Sequence, residues 1–204
     1  MRRRAAAAVL ALAAVAPAVA GARTAAVDTS RGAAAEAGPI LPTYQLDRKG
    51  DVRGPLDIVR VAMSRRLDGT WRGELTMRRA WDAADAGAGA SLCLKLYVKA
   101  QPDADPPEYL VCTAPRAGAQ PPAGSVLRNS ATGLPHVVGP AVVSRPTRRT
   151  IYFSFDPALI RRPTRILFAG ESVWRGPRCP RATGCLDLAP DAPGAREFRL
   201  RSGG

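Results

Sequence analysis

Leu56-Asp57-Ile58-Val59-Arg60-Val61-Ala62-Met63-Ser64-Arg65-Arg66-Leu67-Asp68-Gly69-Thr70-Trp71-Arg72-Gly73-Glu74-Leu75-Thr76-Met77 is the stretch that decides the fold. Val59, Val61 and Met63 alternate with Arg60, Ala62 and Ser64. Trp71, Gly73, Leu75 and Met77 alternate with charged or polar residues. Period-two alternation on both sides of Asp68-Gly69 predicts a β-hairpin, with strands over Leu56 to Arg66 and Trp71 to Trp81. Loop length then sets the register. A two-residue loop at Asp68-Gly69 would pair Val61 with Thr76 and mix the two apolar faces. A three-residue loop, Leu67-Asp68-Gly69 with Gly69 left-handed, pairs Val61 with Leu75 and Val59 with Met77. The three-residue form is expected, with Trp71 in the core because it shares parity with Leu75 and Met77.

Just upstream, Asp47-Arg48-Lys49-Gly50-Asp51-Val52-Arg53-Gly54-Pro55-Leu56-Asp57-Ile58 marks the passage from linker to fold. Gly50 and Gly54 permit sharp turns, and Pro55 fixes its own φ and steers Gly54 away from helix. Asp47, Asp51 and Asp57 place three carboxylates on turning backbone. Together they could hold a structural Ca²⁺, although the spacing is not that of an EF-hand loop. The competing use is turn capping by Asp side chains. The pattern Asp-x-x-x-Asp-x-x-Gly-x-x-Asp-Ile followed by alternating strands resembles the opening of secreted bacterial β-sandwich domains near carbohydrate-binding module family 9 and the DOMON-like group. The resemblance implies a jelly-roll-like sandwich with a structural Ca²⁺ near this opening. No aromatic sugar platform aligns residue by residue, so it carries no ligand.

Residues 1–22 have the form of a secretory signal peptide: Arg2-Arg3-Arg4, an apolar run over Ala5 to Ala16, and small-x-small sites at Ala18-Val19-Ala20 and Ala20-Gly21-Ala22. No cysteine sits at the cleavage site. The expected location is therefore extracellular, by a Sec-type route without a lipid anchor and with no transmembrane segment left after cleavage. Residues 23–39 are Ala, Gly and polar residues without a period and read as a disordered tether. A single domain is expected over 40–202.

Downstream, strands are expected over Ser91 to Lys99, Glu108 to Thr113, Ser125 to Arg128, Ala141 to Ser144, Thr150 to Phe155, Arg165 to Trp174 and Glu197 to Arg201. His136 is placed in a connection and Pro177 to Pro193 in a loop. Seven to nine short strands with frequent turns predict an all-β antiparallel sandwich, jelly-roll or immunoglobulin-like. Four cysteines in an exported chain suggest two disulfides. The midpoint between Cys93 and Cys112 falls at Pro102-Asp103, so a symmetric hairpin sets those two opposite each other and leaves Cys179 to pair with Cys185. The loop-entropy model assigns about 3 kcal/mol to the first and about 2 to the second.

Composition bounds function. The net charge is +13, but 27 of the 30 basic residues are Arg, and they are spread along strands; without Arg2, Arg3 and Arg4 the charge is +10. No basic run with interleaved aromatics appears, which argues against specific nucleic-acid binding. His136 is the only histidine, and no nucleophile elbow, phosphate loop or dinucleotide fingerprint is present. The chain therefore reads as a non-enzyme. An unrecognised hydrolase would need paired carboxylates, with Glu74, Glu108 and Glu171 as candidates by type. Trp81 and Trp174 lie at strand ends, where exposure is expected, and are the candidate sugar-stacking residues. The leading expectation is a secreted glycan-binding or envelope accessory domain whose partner is cell-wall or extracellular polysaccharide. The alternative is a structural or protein-interaction domain.

Overall fold

The computed structural model describes residues 40–47, 52, 54–82, 90–99, 106–113, 123–130, 132–175, 179, 184–191 and 194–200. The expected leader (1–22), the tether (23–39) and Asp51 lie outside them. Strand β1 (Ile40–Leu46) pairs antiparallel with β2 (Ile58–Arg65), which turns into β3 (Trp71–Met77). The hairpin has the three-residue loop its alternation requires. Gly69 has φ 82°, its N–H donates to the Arg66 carbonyl at 3.1 Å, and Arg66 N–H donates to the Thr70 carbonyl at 2.9 Å. Val61 faces Leu75. Met77 faces Ile58 rather than the expected Val59, because an irregularity between Ile58 and Arg60 takes up one residue of β2.

The chain continues through β4 (Ser91–Tyr97), β5 (Tyr109–Thr113), β6 (Gly124–Arg128), β7 (His136–Ser144), β8 (Thr150–Phe155), a one-turn 3₁₀ helix (Pro157–Ile160), β9 (Arg165–Trp174), β10 (Cys185–Ala189) and β11 (Arg196–Arg199). That makes eleven strands among the described residues, where seven to nine were expected. The additions are β1 and β10, the latter a strand inside the expected loop; β7, expected from Ala141, begins at His136 instead.

All pairings are antiparallel, and the order is β1-β2-β3-β8-β7-β6-β5-β4-β9-β10, with β11 beside β10 on the same flank of β9. The sequence predicts two stacked sheets; the structure has one, rolled into a nearly closed barrel. β7 explains the continuity. Its residues from His136 to Ala141 pair with β6, and Val142, Val143 and Ser144 pair with β8. One strand thus carries the sheet around the corner.

The barrel closes between β2 and β10 through side chains instead of a ladder. Ile58 N–H donates to Asp187 Oδ2 at 2.6 Å, and Ser172 Oγ donates to the Leu56 carbonyl at 2.7 Å. Asp191 N–H donates to Asp47 Oδ1 at 3.1 Å. Asp57, Asp187 and Ser172 are buried along this seam, where leaving a donor or acceptor without its partner costs about 1–3 kcal/mol.

The two walls interlock across the core. Leu94 of β4 sits over Gly73 of β3, and Leu75 of β3 sits over Gly170 of β9, where an added Cβ would come within 2.8 Å of Leu75 Cδ2. Trp71 is buried, edge-on to Phe198 with centroids 5.3 Å apart. Both disulfides are formed: Cys93–Cys112 across facing positions of β4 and β5, and Cys179–Cys185. No helix among the described residues is long and apolar enough to cross a membrane.

Candidate functional site

Alternation places one residue in two on the outside of β2, β3 and β8. Pairing then aligns these outward residues in rows. One row runs Tyr44–Ala62–Glu74–Tyr152; the next runs Ser64–Arg72–Ser154. Ala62 is the small member of its row and is buried, so the surface is concave above it. The resulting cleft, of about 600 Å³, is lined by Ala62, Arg65, Arg66, Arg72, Glu74 and Tyr152, with Leu41 and Pro42 of β1 along one side.

Two cation–aromatic pairs shape this face. The Arg72 guanidinium lies 4.9 Å from the Tyr152 ring centre, and that of Arg60 lies 4.8 Å from the Tyr44 ring. The acidic groups here are already engaged. Glu74 meets Arg60 at 3.7 Å and accepts from Thr76 Oγ1 at 3.0 Å. Asp68 meets Arg66 at 3.4 Å and accepts from both the hydroxyl and the N–H of Thr70. Those Thr70 hydrogen bonds, the hydroxyl first, hold the Asp68 carboxyl below the usual carboxylate range. Arg65 and Arg72 form no ion pair among the described residues, and Arg72 Nε is buried without a hydrogen-bond partner. Positive charge is therefore left over in a cleft that also offers an aromatic ring.

A second cleft, of about 540 Å³, flanks the same hairpin. It shares Arg65 and Asp68 with the first and adds Thr70, Asp156, Pro157 and Arg162. Asp156 is occupied as the cap of the 3₁₀ helix, accepting from Ala158 N–H at 2.8 Å. Arg161 and Arg162 follow that helix with φ 67° and 47°. Each left-handed non-glycine residue costs roughly 1–2 kcal/mol. Pro163 disfavours the right-handed helical alternative for Arg162.

Of the residues singled out from sequence, only Glu74 lines this cleft. Trp81 and Trp174, expected to be exposed, are 2% and 0% accessible. Trp81 is not at a free strand end: its N–H donates to the Arg148 carbonyl at 3.2 Å, and Arg145 covers its ring at 3.9 Å. Trp174 is covered because β9 continues into pairing with β10, opposite Cys185, and because Gly54 lacks a Cβ where the indole lies. Neither ring face is open to a ligand.

Of the three carboxylates considered for Ca²⁺, Asp47 accepts from Asp191, and Asp57 is buried 3.6 Å from Arg78 Nη1. A guanidinium there opposes a dication. Among the described residues, no three His, Cys, Asp or Glu side chains come together as a metal site. Glu74, Glu108 and Glu171 each have a cation, Arg60, Lys99 and Lys95 respectively, and lie on different strands or loops. His136 is exposed opposite Arg128.

Sequence reasoning missed the cleft. Its residues are the polar half of the alternation, which reads as solvent face until pairing shows what stands next to what. No protein-family model matches the chain, and no curated protein or solved structure is significantly similar to it.

Proposed function

We propose that the chain is an exported, non-catalytic glycan-binding module that holds a sugar chain in the cleft on the outside of β1, β2, β3 and β8. The observation that carries this reading is Arg72 laid along Tyr152 above the small Ala62. An aromatic ring beside a guanidinium with donor capacity to spare suits a sugar, whose C–H face packs on the ring while its oxygens accept hydrogen bonds. Glu74 adds an acceptor for hydroxyl donors. The likeness to secreted β-sandwich sugar-binding domains rests on the sequence pattern from Asp47 to Ile58 and on the all-β build. On this reading the stacking role moves from Trp81 and Trp174 to Tyr152.

The test is retention of the oxidised protein on insoluble polysaccharides and isolated cell walls. Wild type is expected to be retained, and Arg72→Ala with Tyr152→Ala is expected to elute while still unfolding in a single cooperative transition. Absence of retention on every matrix would falsify the reading. A protein-interaction role is favoured by one observation: Leu41, on the cleft wall, and Leu46, at the other end of β1, are 85% and 60% exposed. Loss of a co-purifying protein on Leu41→Ser with Leu46→Ser, without any glycan retention by wild type, would favour that role instead.

A further inference from the structure

We infer that the two clefts beside the β2–β3 hairpin form one track for a polyanionic glycan, with Arg65 at the junction and Arg162 at the far end. The inference rests on the glycan-binding reading and adds to it both the charge class of the ligand and its length. Three observations carry it. The clefts share Arg65 and Asp68, so they adjoin at the hairpin. All three carboxylates bordering the track, Asp68, Glu74 and Asp156, are engaged by Arg66, Arg60 or backbone and hydroxyl donors. Arg65, Arg72 and Arg162 form no ion pair among the described residues. A neutral sugar could accept hydrogen bonds from those three guanidinium groups but would leave their charge uncompensated. A chain bearing a carboxylate or phosphate on successive sugars would meet them one after another through bidentate hydrogen bonds.

The backbone at Arg162 fits this assignment. Local strain is held where the surrounding structure fixes a side chain in place. Here the left-handed backbone of Arg162 puts that residue on the wall of the second cleft. A monosaccharide can occupy one cleft only; a longer chain can reach from Arg72 past Arg65 to Arg162.

The experiment is a binding titration of the full oxidised protein with oligogalacturonides of increasing length, with a linear polyphosphate, with an uncharged glucan and with duplex DNA, at two salt concentrations. Affinity for the oligogalacturonides is expected to rise with length and then level off. Arg162→Gly accommodates the same φ without strain, so folding is preserved. It should weaken the long oligomer about tenfold and leave the shortest unchanged. Arg65→Gln should weaken both. Polyphosphate binding that matches the long oligogalacturonide would assign the recognised group as any repeating anion; weaker polyphosphate binding would assign it as a uronate. Glucan bound as tightly as galacturonide, with Arg162→Gly silent, would overturn the track while leaving the glycan-binding reading intact. Tighter binding of DNA than of any glycan would overturn the track as a glycan site. No binding to any saccharide would remove both readings together.

Discussion

The two outer faces of the barrel use the same residue types to opposite ends. On the β4, β5, β9 and β11 side, four cations have partners: Lys95 with Glu171 at 3.2 Å, Lys99 with Glu108 at 3.9 Å, and Arg165 and Arg199 with Glu197, both at 2.8 Å. The same side carries Cys93–Cys112 between neighbouring strands. On the β2, β3 and β8 side, Arg60 and Arg66 are paired but Arg65 and Arg72 form no ion pair among the described residues, and aromatic rings stand beside the guanidinium groups of Arg60 and Arg72. Charge that is matched internally has little left for a ligand, whereas unmatched charge in a concave surface does. The difference separates a face that secures the sheet from one that is free to bind.

The largest effect should come from the secured side. Replacing Cys93 and Cys112 by Ala is expected to remove about 3 kcal/mol in a denaturant titration, with glycan retention unchanged in the protein that stays folded. Retention falling in parallel would break the division of labour between the faces. Next comes the seam that joins them. Asp187→Ala strips the Ile58 N–H of its acceptor and should cost about 1.5–3 kcal/mol, measured the same way, with Asp187→Asn recovering part of it.

Smaller stability changes are expected from the cleft itself. Arg72→Ala should shift stability by less than about 1 kcal/mol while abolishing retention. Lys95→Ala on the other face should cost about 0.5 kcal/mol and leave retention alone. If Lys95→Ala reduced retention as Arg72→Ala does, the surface charge as a whole, and not the cleft, would be responsible.

The smallest effect concerns Asp68 at the hairpin tip. Its carboxyl is held low in the folded state, so its contribution is complete above the unfolded carboxylate value and is lost as pH falls through the lower folded one. An NMR titration of the Asp68 carboxyl should show this low value, and Thr70→Ala should return it toward the ordinary range.

What could be read from the chain follows from the range of the forces involved. The hairpin was legible because Val61, Leu75 and Gly69 are near neighbours whose parity and φ requirement fix a loop length. Cys93 opposite Cys112 was legible for the same reason, since one Pro and Asp turn centres the pair. Strand β10 was hidden, because five residues from Cys185 to Ala189, followed by a proline, become a strand only beside β9. The burial of Trp174 depends on the bare backbone at Gly54, distant in sequence. The cleft was least legible, because Arg72 meets Tyr152 only through the pairing of β3 with β8.

That pairing also imposes an order of events. Thr76 and Thr150, at one end of the β3–β8 ladder, are 74 residues apart. A ribosome that has just released β3 must make four further strands before it reaches β8, the partner of that open edge. Until then β3 presents unpaired backbone groups and an apolar face to whatever is nearby. The nascent chain thus spends much of its synthesis as an incomplete sheet. The surface assigned to ligand binding is among the last to exist, since its Tyr152 arrives with the strand that shuts that edge.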